Sequence, residues 1–279
     1  MHEIYNGFPI EFQQKLDVDI SKYDPSFVDQ IIKNRQLELK LKDYYHYIDC
    51  LHHDILEREI FENMLQISYS MFFRNMLTFN TLEHIVIPKL LIKKSLKSNA
   101  NLRIWSAACA GGQEPYSLAI ILENCILKNY KLNNYHVFAT DIDPKQIEIA
   151  KSGIYTEESL KNVTFNDLHK WFNKSNDHYI IHEELKKRVS FSVFDLLDEK
   201  LSSPPDSIFG DFDIIMCANI MFYFNEESRK SILNKLIASA LQNTFFITGE
   251  VEREYFIARQ FVELYPQSAI FQLPYNYQL

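Results

Sequence analysis

The chain has 279 residues, of which 47% are hydrophobic and 24% charged, a balance that is typical of a globular protein and unlike that of a disordered one. Its formal net charge is −8 and it contains no block of lysines and arginines, which argues against general binding to nucleic acid. Every apolar run is shorter than the about 18 residues that a membrane-spanning helix needs, so we expect no membrane insertion.

Cysteine usage and the N-terminal sequence bear on location and on metal binding. The four cysteines are far apart, form no C-x-x-C motif and are predicted to be free thiols in a reducing, cytoplasmic compartment: Cys50, Cys109, Cys125 and Cys217. The first residues lack the basic and apolar regions of a signal peptide. His46, His52 and His53 have no matching carboxylate or cysteine spacing, and we therefore predict no metal site.

The first 80 residues carry helix signals and few strand signals. Asp24 before Pro25 is typical of a helix start, because aspartate accepts hydrogen bonds from unpaired backbone N–H groups and proline suits the first turn. Asp43 precedes apolar residues spaced i, i+3, i+4 and i+7, which predicts a second, amphipathic helix. The apolar face of that helix is Tyr44, Tyr47, Ile48 and Leu51.

Two further capping patterns follow. Asp54 with Glu57 has the spacing of a capping box, in which each side chain accepts a hydrogen bond from a backbone N–H group near the other. Asn80 with Glu83 repeats this spacing ahead of another apolar stretch. The helix that starts at Asp54 is predicted to present Leu56, Ile60 and Met64 to the core.

After residue 100, short apolar runs alternate with helical patterns. The strand-like runs are RIWSAA, YHVFAT, RVSFSVF, FDIIMCA and NTFFITG, and the helical patterns are PYSLAIILENCIL, PKQIEIAK and EESRKSILNKLIASAL. This alternation predicts a doubly wound, mostly parallel sheet. The polar segment 153–188 predicts an insertion, and the tail SAIFQLPYNYQL can add closing antiparallel strands. We therefore predict a helical N-terminal domain with its linker over residues 1–80 and an α/β domain over residues 81–279.

The stretch RIWSAACAGGQEPYSL, residues 103–118, predicts a strand, a glycine turn and a helix at the carboxyl edge of the sheet, where ligands of such folds bind. Neither the dinucleotide nor the P-loop glycine pattern is present. Glu114 at the helix start would repel a phosphate, although free N–H groups there attract anions. A ligand with a cationic end and no phosphate fits this turn, and S-adenosylmethionine, with its ammonium and sulfonium groups, is such a ligand.

Acidic residues also end two further predicted strands. Asp141 can accept two hydrogen bonds from a ribose diol, Ile142 can pack against an adenine ring, and Asp195 can accept a hydrogen bond from the adenine amine. Each has a simpler interpretation, since Glu114 can stabilise a helix N-terminus and the aspartates can be cap or turn residues. Asp143 is better placed than Asp141 to cap the next helix. Acidic residues on successive strand ends together favour the ligand.

Three long stretches resemble the CheR-type chemotaxis receptor methyltransferases. RIWSAACAGGQEPYS is similar to that family's R-x-W-S-A-x-C-S-x-G-E-E-P-Y-S, FATDIDPKQIEIAKSGIY to its A-T-D-I-D-x-x-x-L-x-x-A-x-x-G-x-Y, and FDIIMCANIMFYF to its F-D-x-I-x-C-R-N-V-x-I-Y-F. LQISYSMFFRN is similar to its L-T-x-N-x-T-x-F-F-R-x, and the N-terminal part resembles its helical domain more loosely. The resemblance covers almost the whole chain in order.

This resemblance implies a fold, an activity and a partner. The family transfers a methyl group from S-adenosylmethionine to glutamate side chains of chemoreceptors and releases S-adenosylhomocysteine. Its fold is a small helical domain followed by a Rossmann-like α/β methyltransferase domain with a small antiparallel insertion. The implied partner of this chain, as a monomer, is the cytoplasmic region of a chemoreceptor or another protein substrate.

The resemblance also implies site residues. Arg74 and Tyr223 would be catalytic and would face the methyl group and the incoming carboxylate. The residues implied to bind the cofactor are Ser68, Ser70, Arg74, Glu114, Asp141, Asp195, Leu196, Ala218 and Asn219.

Several positions depart from the family pattern. The departures are Ser68 and Ser70 in place of Asn and Thr, Gln113 in place of the first Glu of E-E-P, Asp195 in place of Asn, and Ala218 in place of Arg. In the family, a basic helix of the N-terminal domain meets the acidic methylated region of the receptor. Residues 1–60 of this chain contain 12 acidic and 7 basic residues, a net charge of −5, so this surface is not strongly basic.

A glutamate acceptor is already ionised at pH 7, so this reaction would need alignment of the reactants and no general base. Arg74 would orient a carboxylate through paired N–H donors, or else form a structural ion pair. Tyr223 would pack beside the methyl group, or else belong to the core.

Two other functions remain open. The acidic N-terminal part favours a methyltransferase of this fold that acts on another protein or a small molecule. Ser68 and Ala218 favour a non-catalytic module that binds S-adenosylmethionine.

Overall fold

The computed structural model describes residues 4–5, 8–9, 20–66, 69–96, 101–127 and 134–274. The chain divides into two compact units: Met1–Ile67 with Ile220–Ile232, and Ser68–Asn219 with Leu233–Leu279. Within the described ranges, no helix is long and apolar enough to cross a membrane. The division of the chain at residue 80 stays a prediction.

The first unit is mostly helical. Its elements are β1 (Ile4–Tyr5), β2 (Phe8–Pro9), α1 (Pro25–Leu39), α2 (Tyr44–His53), α3 (Ile55–Leu65) and a 3₁₀ turn (Met221–Tyr223). Each of the three helices begins at an aspartate that accepts a backbone N–H group. These pairs are Asp24 with Ser26 at 3.0 Å, Asp43 with His46 at 3.1 Å and Asp54 with Leu56 at 2.9 Å. The three predicted caps are confirmed, and they satisfy donors that a helix leaves unpaired.

The inward face of α3 differs from the predicted one. Leu56 and Ile60, which were expected in the core, are 70% and 40% exposed, and Met64 is only partly buried. Phe61 and Leu65 are buried in their place. The buried apolar residues of this unit are Ile20, Val28, Ile31, Ile32, Tyr47, Leu51, Phe61 and Leu65.

A buried ion pair accounts for this orientation of α3. The side chain of Glu57 is 4% exposed and pairs with Arg35 of α1, whose Nε lies 2.7 Å from Oε1. Tyr47 of α2 donates its hydroxyl to the same oxygen at 2.9 Å. The hydrogen bond with Glu57 raises the pKa of Arg35. The predicted capping box is therefore wrong in its second half, because Glu57 turns inward and joins all three helices.

The second unit begins with an interrupted helix. Its parts are α4 (Met76–Thr81), a π-helical turn (Leu82–Val86) and α5 (Ile87–Ser95). Asn75 caps α4 by accepting the backbone N–H of Thr78 at 3.1 Å. The helix start predicted at Asn80 and Glu83 is wrong, since both residues lie inside the helical run. The π turn ends two residues before Pro88, whose ring lacks an N–H group and would clash with a regular α-helical carbonyl four residues earlier.

A seven-stranded sheet forms the centre of the second unit. Its strands are β3 (Asn101–Ala107), β4 (Asn134–Asp141), β8 (Val189–Val193), β9 (Phe212–Met216), β10 (Ala240–Ile247), β11 (Val262–Glu263) and β12 (Ile270–Gln272). Their order is β11-β12-β10-β9-β3-β4-β8. The strands from β10 to β8 pair in parallel, and the C-terminal strands β12 and β11 pair antiparallel at one edge; β12 lies in the tail, where closing antiparallel strands are predicted.

Helices follow the parallel strands in the order that the sequence predicts. They are α6 (Gln113–Leu127) after β3, α7 (Pro144–Ser152) after β4 and α10 (Glu226–Ala238) after β9. Strand β9 is buried at every position, which is typical of a parallel sheet with both faces covered. The predicted doubly wound α/β fold is confirmed.

A small antiparallel sheet interrupts this pattern between α7 and β8. Its strands are β5 (Ile154–Thr156), β6 (Phe172–Ser175) and β7 (His178–Ile181), in the order β5-β7-β6, and its helical segments are a 3₁₀ turn (Glu157–Leu160), α8 (Phe165–Trp171) and α9 (Glu183–Lys186). Tyr155, Phe172 and Ile181 are buried and join the core of the main sheet. The predicted antiparallel insertion is confirmed.

We expect Glu57→Gln to lower the free energy of unfolding by about 3 kcal/mol, because it leaves the guanidinium of Arg35 buried without its counter-charge. Urea unfolding of the full chain, followed by circular dichroism, measures the loss. Glu38→Gln is the matched control, since Glu38 also pairs with Arg35 but is 61% exposed, and there we expect a loss below about 0.5 kcal/mol. Equal losses in the two variants would contradict a dominant role of the buried pair.

Candidate functional site

The loops that follow four adjacent strands meet at the carboxyl edge of the main sheet. The strand register pairs Ser106 of β3 with Met216 of β9, Ala107 of β3 with Thr140 of β4, and Thr140 with Ser192 of β8. The loops at 108–112, 141–143, 194–196 and 217–219 therefore start at the same level of the sheet. This edge is where ligands of open α/β sheets bind.

The loop between β3 and α6, which we call the glycine turn (residues 108–112), is tightly wound. Ala108, Ala110 and Gly112 have φ values of 57°, 46° and 86°, in the left-handed region. At Gly112 a Cβ atom would lie 2.8 Å from the Cβ of Ala150 in α7 and 3.0 Å from the hydroxyl of Tyr155. The chain therefore needs glycine here for its conformation and for the close approach of α7.

Glu114 lies in the first turn of α6, directly after the glycine turn. Ser106 donates its hydroxyl to Oε1 of Glu114 at 2.7 Å. Burial raises the pKa of Glu114 to about 8, the bond from Ser106 opposes this shift, the charge of Glu252 adds to it and the charge of Arg74 opposes it. A carboxyl group with so little compensation for its burial is suited to pair with a cation.

Asp141 ends β4 beside the glycine turn. Its Oδ2 accepts the backbone N–H of Ala110 at 2.8 Å, and its Oδ1 accepts that of Asp143 at 3.0 Å. Asp143 caps α7 by accepting the N–H of Lys145 at 2.8 Å, as predicted, so Asp141 is not the cap. Burial raises the pKa of Asp141. A carboxylate offers about four lone-pair directions, so these two bonds leave acceptor capacity for a ligand.

The loop after β8 holds two of the predicted residues. Asp195 accepts the backbone N–H of Leu197 at 2.8 Å, the contact of a turn residue, and Leu196 is buried. Ile142, in the neighbouring loop after β4, is 44% exposed. An exposed apolar side chain at the ligand edge of the sheet offers a surface for a flat ring.

Glu252 is a residue of this edge that the sequence analysis missed. It ends a 3₁₀ turn (Glu250–Glu252) before α11 (Arg253–Ile257) and is 2% exposed. Its Oε2 accepts the N–H of Asn219 at 2.9 Å, the N–H of Gly249 at 2.8 Å and the hydroxyl of Thr248 at 2.7 Å. It thereby joins the loops after β9 and β10. The signal in the sequence is an acidic residue three positions after Gly249, the glycine that follows strand β10.

The loop after β9 contains Ala218 and Asn219. Asn219 has a φ of 62°, which asparagine tolerates better than most residues. Ala218 is partly buried against the core of the unit. At Gly249 a Cβ atom would lie 2.9 Å from the N and Oδ1 atoms of Asn219, so this glycine leaves room for the asparagine.

Arg74 lies in the segment before α4. Its side chain is exposed, its Nη1 donates to the carbonyl of Tyr69 at 3.2 Å, and its guanidinium carbon lies 5.4 Å from the centre of the Tyr69 ring. It forms no ion pair with any residue of the described ranges, and its charge acts to lower the pKa of Glu114. Ser70 is half-buried, and Ser68 lies outside the described residues.

Tyr223 belongs to the first unit. Its ring centre lies 4.8 Å from that of Phe27 and 4.0 Å from that of Phe222. Its carbonyl oxygen accepts the backbone N–H of Asp24 at 2.8 Å. The side chain is half-buried within this aromatic group.

The second unit thus brings carboxyl groups at Glu114 and Asp141, a polar backbone turn at Asn219 and an apolar surface at Ile142 to one edge of the sheet, and it also contains the exposed guanidinium of Arg74. Such a set suits a ligand that carries both an ammonium and a carboxylate group, together with hydroxyls and a flat ring. Among the described residues no group of three or more potential ligands could hold a metal ion, and the four cysteines are free.

Comparison with known proteins gives consistent matches over most of the chain. The family model described as "CheR methyltransferase, SAM binding domain" matches residues 68–262. A chemotaxis protein methyltransferase from Borreliella burgdorferi is 31% identical over 252 residues, which cover 89% of this chain and 84% of that protein. Those from Listeria innocua and Escherichia coli are 29% and 28% identical, over 89% of this chain in both cases and 89% and 83% of the relatives.

The two adjacent glycines of the glycine turn are predicted to differ in how much stability is lost on substitution by alanine. Gly112→Ala should lower the free energy of unfolding by at least about 2 kcal/mol, because it combines left-handed strain with overpacking against α7. In Gly111→Ala the new Cβ would lie 3.2 Å from the flexible amide end of Gln113, and we expect a loss below about 1 kcal/mol. Urea unfolding of both variants checks this, and similar losses would contradict the packing argument.

Proposed function

The chain belongs to the CheR family of S-adenosylmethionine-binding methyltransferases, and we propose that it methylates glutamate side-chain carboxylates of chemoreceptors. The family match over residues 68–262 and the chemotaxis methyltransferases that cover most of the chain support this proposal. The observation that carries it in the structure is the carboxyl group of Glu114 beside the glycine turn, which accepts the hydroxyl of Ser106 and forms no ion pair within the described ranges.

The cofactor-site residues suit the chemistry of S-adenosylmethionine. We propose that Glu114 binds the ammonium group, that Arg74 binds a carboxylate and that the remaining lone pairs of Asp141 accept the ribose hydroxyls. Asp195 and Leu196 would then flank the adenine, beside the exposed Ile142. Asn219, held by Glu252, would offer its polar groups to the methionyl end, next to Ala218. Ser70, and Ser68 before it, belong to the segment that leads to Arg74.

The protein's own residues have a limited chemical task in this reaction. When bound, the cofactor supplies a methyl group on a positively charged sulfur. A glutamate acceptor has a pKa near 4.3 and is ionised at pH 7, so no residue has to remove a proton. Arg74 would orient the acceptor or the cofactor carboxylate through paired N–H donors, and Tyr223 stays the second residue that we propose to be catalytic.

The charge of the first unit supports a second candidate, a methyltransferase of this family with a different protein acceptor. Arg35 is paired with Glu57, Lys33 with Asp29 at 2.6 Å, and Arg229 with Asp24 at 3.3 Å. These internal pairs reduce the positive charge that is available to an acidic receptor surface.

Four free cysteines suit a reducing compartment, and we propose that the protein acts in the cytoplasm.

The nature of the product distinguishes a carboxylate acceptor from other acceptors. We expect a native lysate incubated with the protein and methyl-tritiated cofactor to yield labelled protein that releases volatile counts in mild alkali, because carboxyl methyl esters hydrolyse there. Asp141→Ala should abolish the label, whereas Asp143→Ala, which removes only the cap of α7, should retain it. A label that resists alkali would move the acceptor to nitrogen or carbon and overturn the glutamate assignment.

The raised pKa of Glu114 makes cofactor binding depend on pH. Since the pKa is about 8, the carboxyl group is mostly protonated at pH 6, and binding of an ammonium group releases a proton. The affinity for S-adenosylhomocysteine should therefore rise with pH, by up to about tenfold per unit between pH 6 and 8. Titration calorimetry at several pH values checks this for the unchanged chain and for Glu114→Gln, which should bind weakly without this slope. The same slope in the variant would assign the pH dependence to another group.

A further inference from the structure

The residue before Arg74 has a strained backbone. Phe73 has a φ of 50°, in the left-handed region that bulky side chains rarely adopt. Such a conformation persists only where surrounding contacts hold it, and it is found most often at functional sites. The residues that hold Phe73 in this conformation therefore also determine the position of the backbone of Arg74.

Two side chains from separate elements bind both backbone groups of Phe73. Its N–H donates to the hydroxyl oxygen of Ser117 in α6 at 3.1 Å, and its carbonyl accepts from Nδ2 of Asn162 at 3.2 Å. Ser117 is fully buried and donates its own proton to the carbonyl of Gln113 at 2.7 Å. The hydroxyl thus links Phe73 to the first turn of α6, which contains Glu114.

The preceding residue is fixed as well. Phe72 donates its backbone N–H to the carbonyl of Ser159 at 3.1 Å, and its buried ring packs edge-on against Tyr155 at 4.8 Å and Phe172 at 5.3 Å. Tyr155 in turn donates its hydroxyl to the carbonyl of Gly111 in the glycine turn at 2.8 Å. The segment before Arg74 is thereby tied to the cofactor edge through the antiparallel insertion.

The following residue is fixed by the cap of α4. Asn75 accepts the N–H of Thr78, so its backbone is set by the start of that helix. The residues on both sides of Arg74 are therefore held by hydrogen bonds, so the position of its side chain depends mainly on its own side-chain torsion angles.

We propose that Ser117 and Asn162 are positioning residues that hold Phe73 in its left-handed conformation and so fix the backbone from which Arg74 reaches the carboxylate that it binds. This inference rests on the proposed function, in which Arg74 binds a carboxylate. Neither side chain has to touch the cofactor or the acceptor, since both act through the backbone of Phe73.

Limited proteolysis tests the hold on Arg74 without any ligand. Trypsin cleaves after Arg74 only when this segment leaves its fixed conformation, so Ser117→Ala and Asn162→Asp should each be cleaved there about five times faster than the unchanged chain. Asn162→Asp keeps the shape of the side chain but loses the donor. Ser159→Ala is the matched control, because Ser159 contacts Phe72 only through its backbone carbonyl, and its cleavage rate should not change.

Cleavage after the exposed Lys200 serves as the reference for general loosening, and thermal unfolding verifies that each variant is folded. An equal increase at Lys200 and Arg74 would show a global effect and overturn the proposal. Unchanged cleavage after Arg74 in both variants would also overturn it.

A double-mutant cycle then tests whether Ser117 acts through Arg74. Calorimetry with S-adenosylhomocysteine should show that Ser117→Ala weakens binding by about tenfold in the unchanged chain but less than about twofold in the Arg74→Ala background. The same loss in both backgrounds would show a merely structural role and overturn the inference. If the unchanged chain does not bind S-adenosylhomocysteine, the proposed function fails, and the proteolysis still decides whether the two residues hold Phe73.

Discussion

The hydrogen bond from the N–H of Ala110 to the carboxylate of Asp141 is the contact on which the cofactor edge depends. It joins the ends of two neighbouring strands, and the same carboxylate also accepts the N–H of Asp143. Because the bond from Ala110 holds the glycine turn against β4, it sets where α6 begins and therefore where Glu114 lies, while the bond from Asp143 fixes the orientation of the carboxylate. Asp141 thus holds the turn and also lies at the ligand edge. Its interpretation as a turn residue is therefore compatible with its interpretation as an acceptor of ribose hydroxyls.

Close packing keeps the turn in this place. Gly112 admits α7 at a distance that no side chain would permit, and Tyr155 reaches from the insertion to the carbonyl of Gly111. The insertion is consequently part of the architecture of the cofactor edge as well as an addition to its surface. A change in the position of β5 would act on the glycine turn through the hydroxyl of Tyr155, and on Arg74 through the contact of the Tyr155 ring with Phe72.

Local signals in the sequence were sufficient wherever a residue's partner lies a few positions away. Asp24 and Asp43 cap helices with side chains that reach two or three residues ahead, and the apolar runs of the parallel strands are buried whatever their neighbours are. The failures concern partners that are distant in the chain. Glu57 has the spacing of a capping box, but Arg35, 22 residues earlier, draws it inward. Glu252 and Asn219 are 33 residues apart, and no periodicity reports their bond. The left-handed Phe73 has no sequence signal, because its conformation is imposed by α6 and the insertion.

Comparison of Glu114 with the buried acids Glu57, Asp213 and Glu252 separates structural carboxylates from one that is suited to a cation. Glu57 has the guanidinium of Arg35, Asp213 has the ammonium of Lys94 at 2.7 Å, and Glu252 accepts three hydrogen bonds on one oxygen. Glu114 accepts one hydroxyl and forms no ion pair within the described ranges, and its pKa is raised to about 8 in consequence. Burying a carboxyl group with so little compensation lowers the stability of the free protein, because its ionised form loses hydration without gaining a partner. A bound cation supplies the partner that the ionised form lacks, so this carboxyl group is suited to recognise the ammonium of the cofactor.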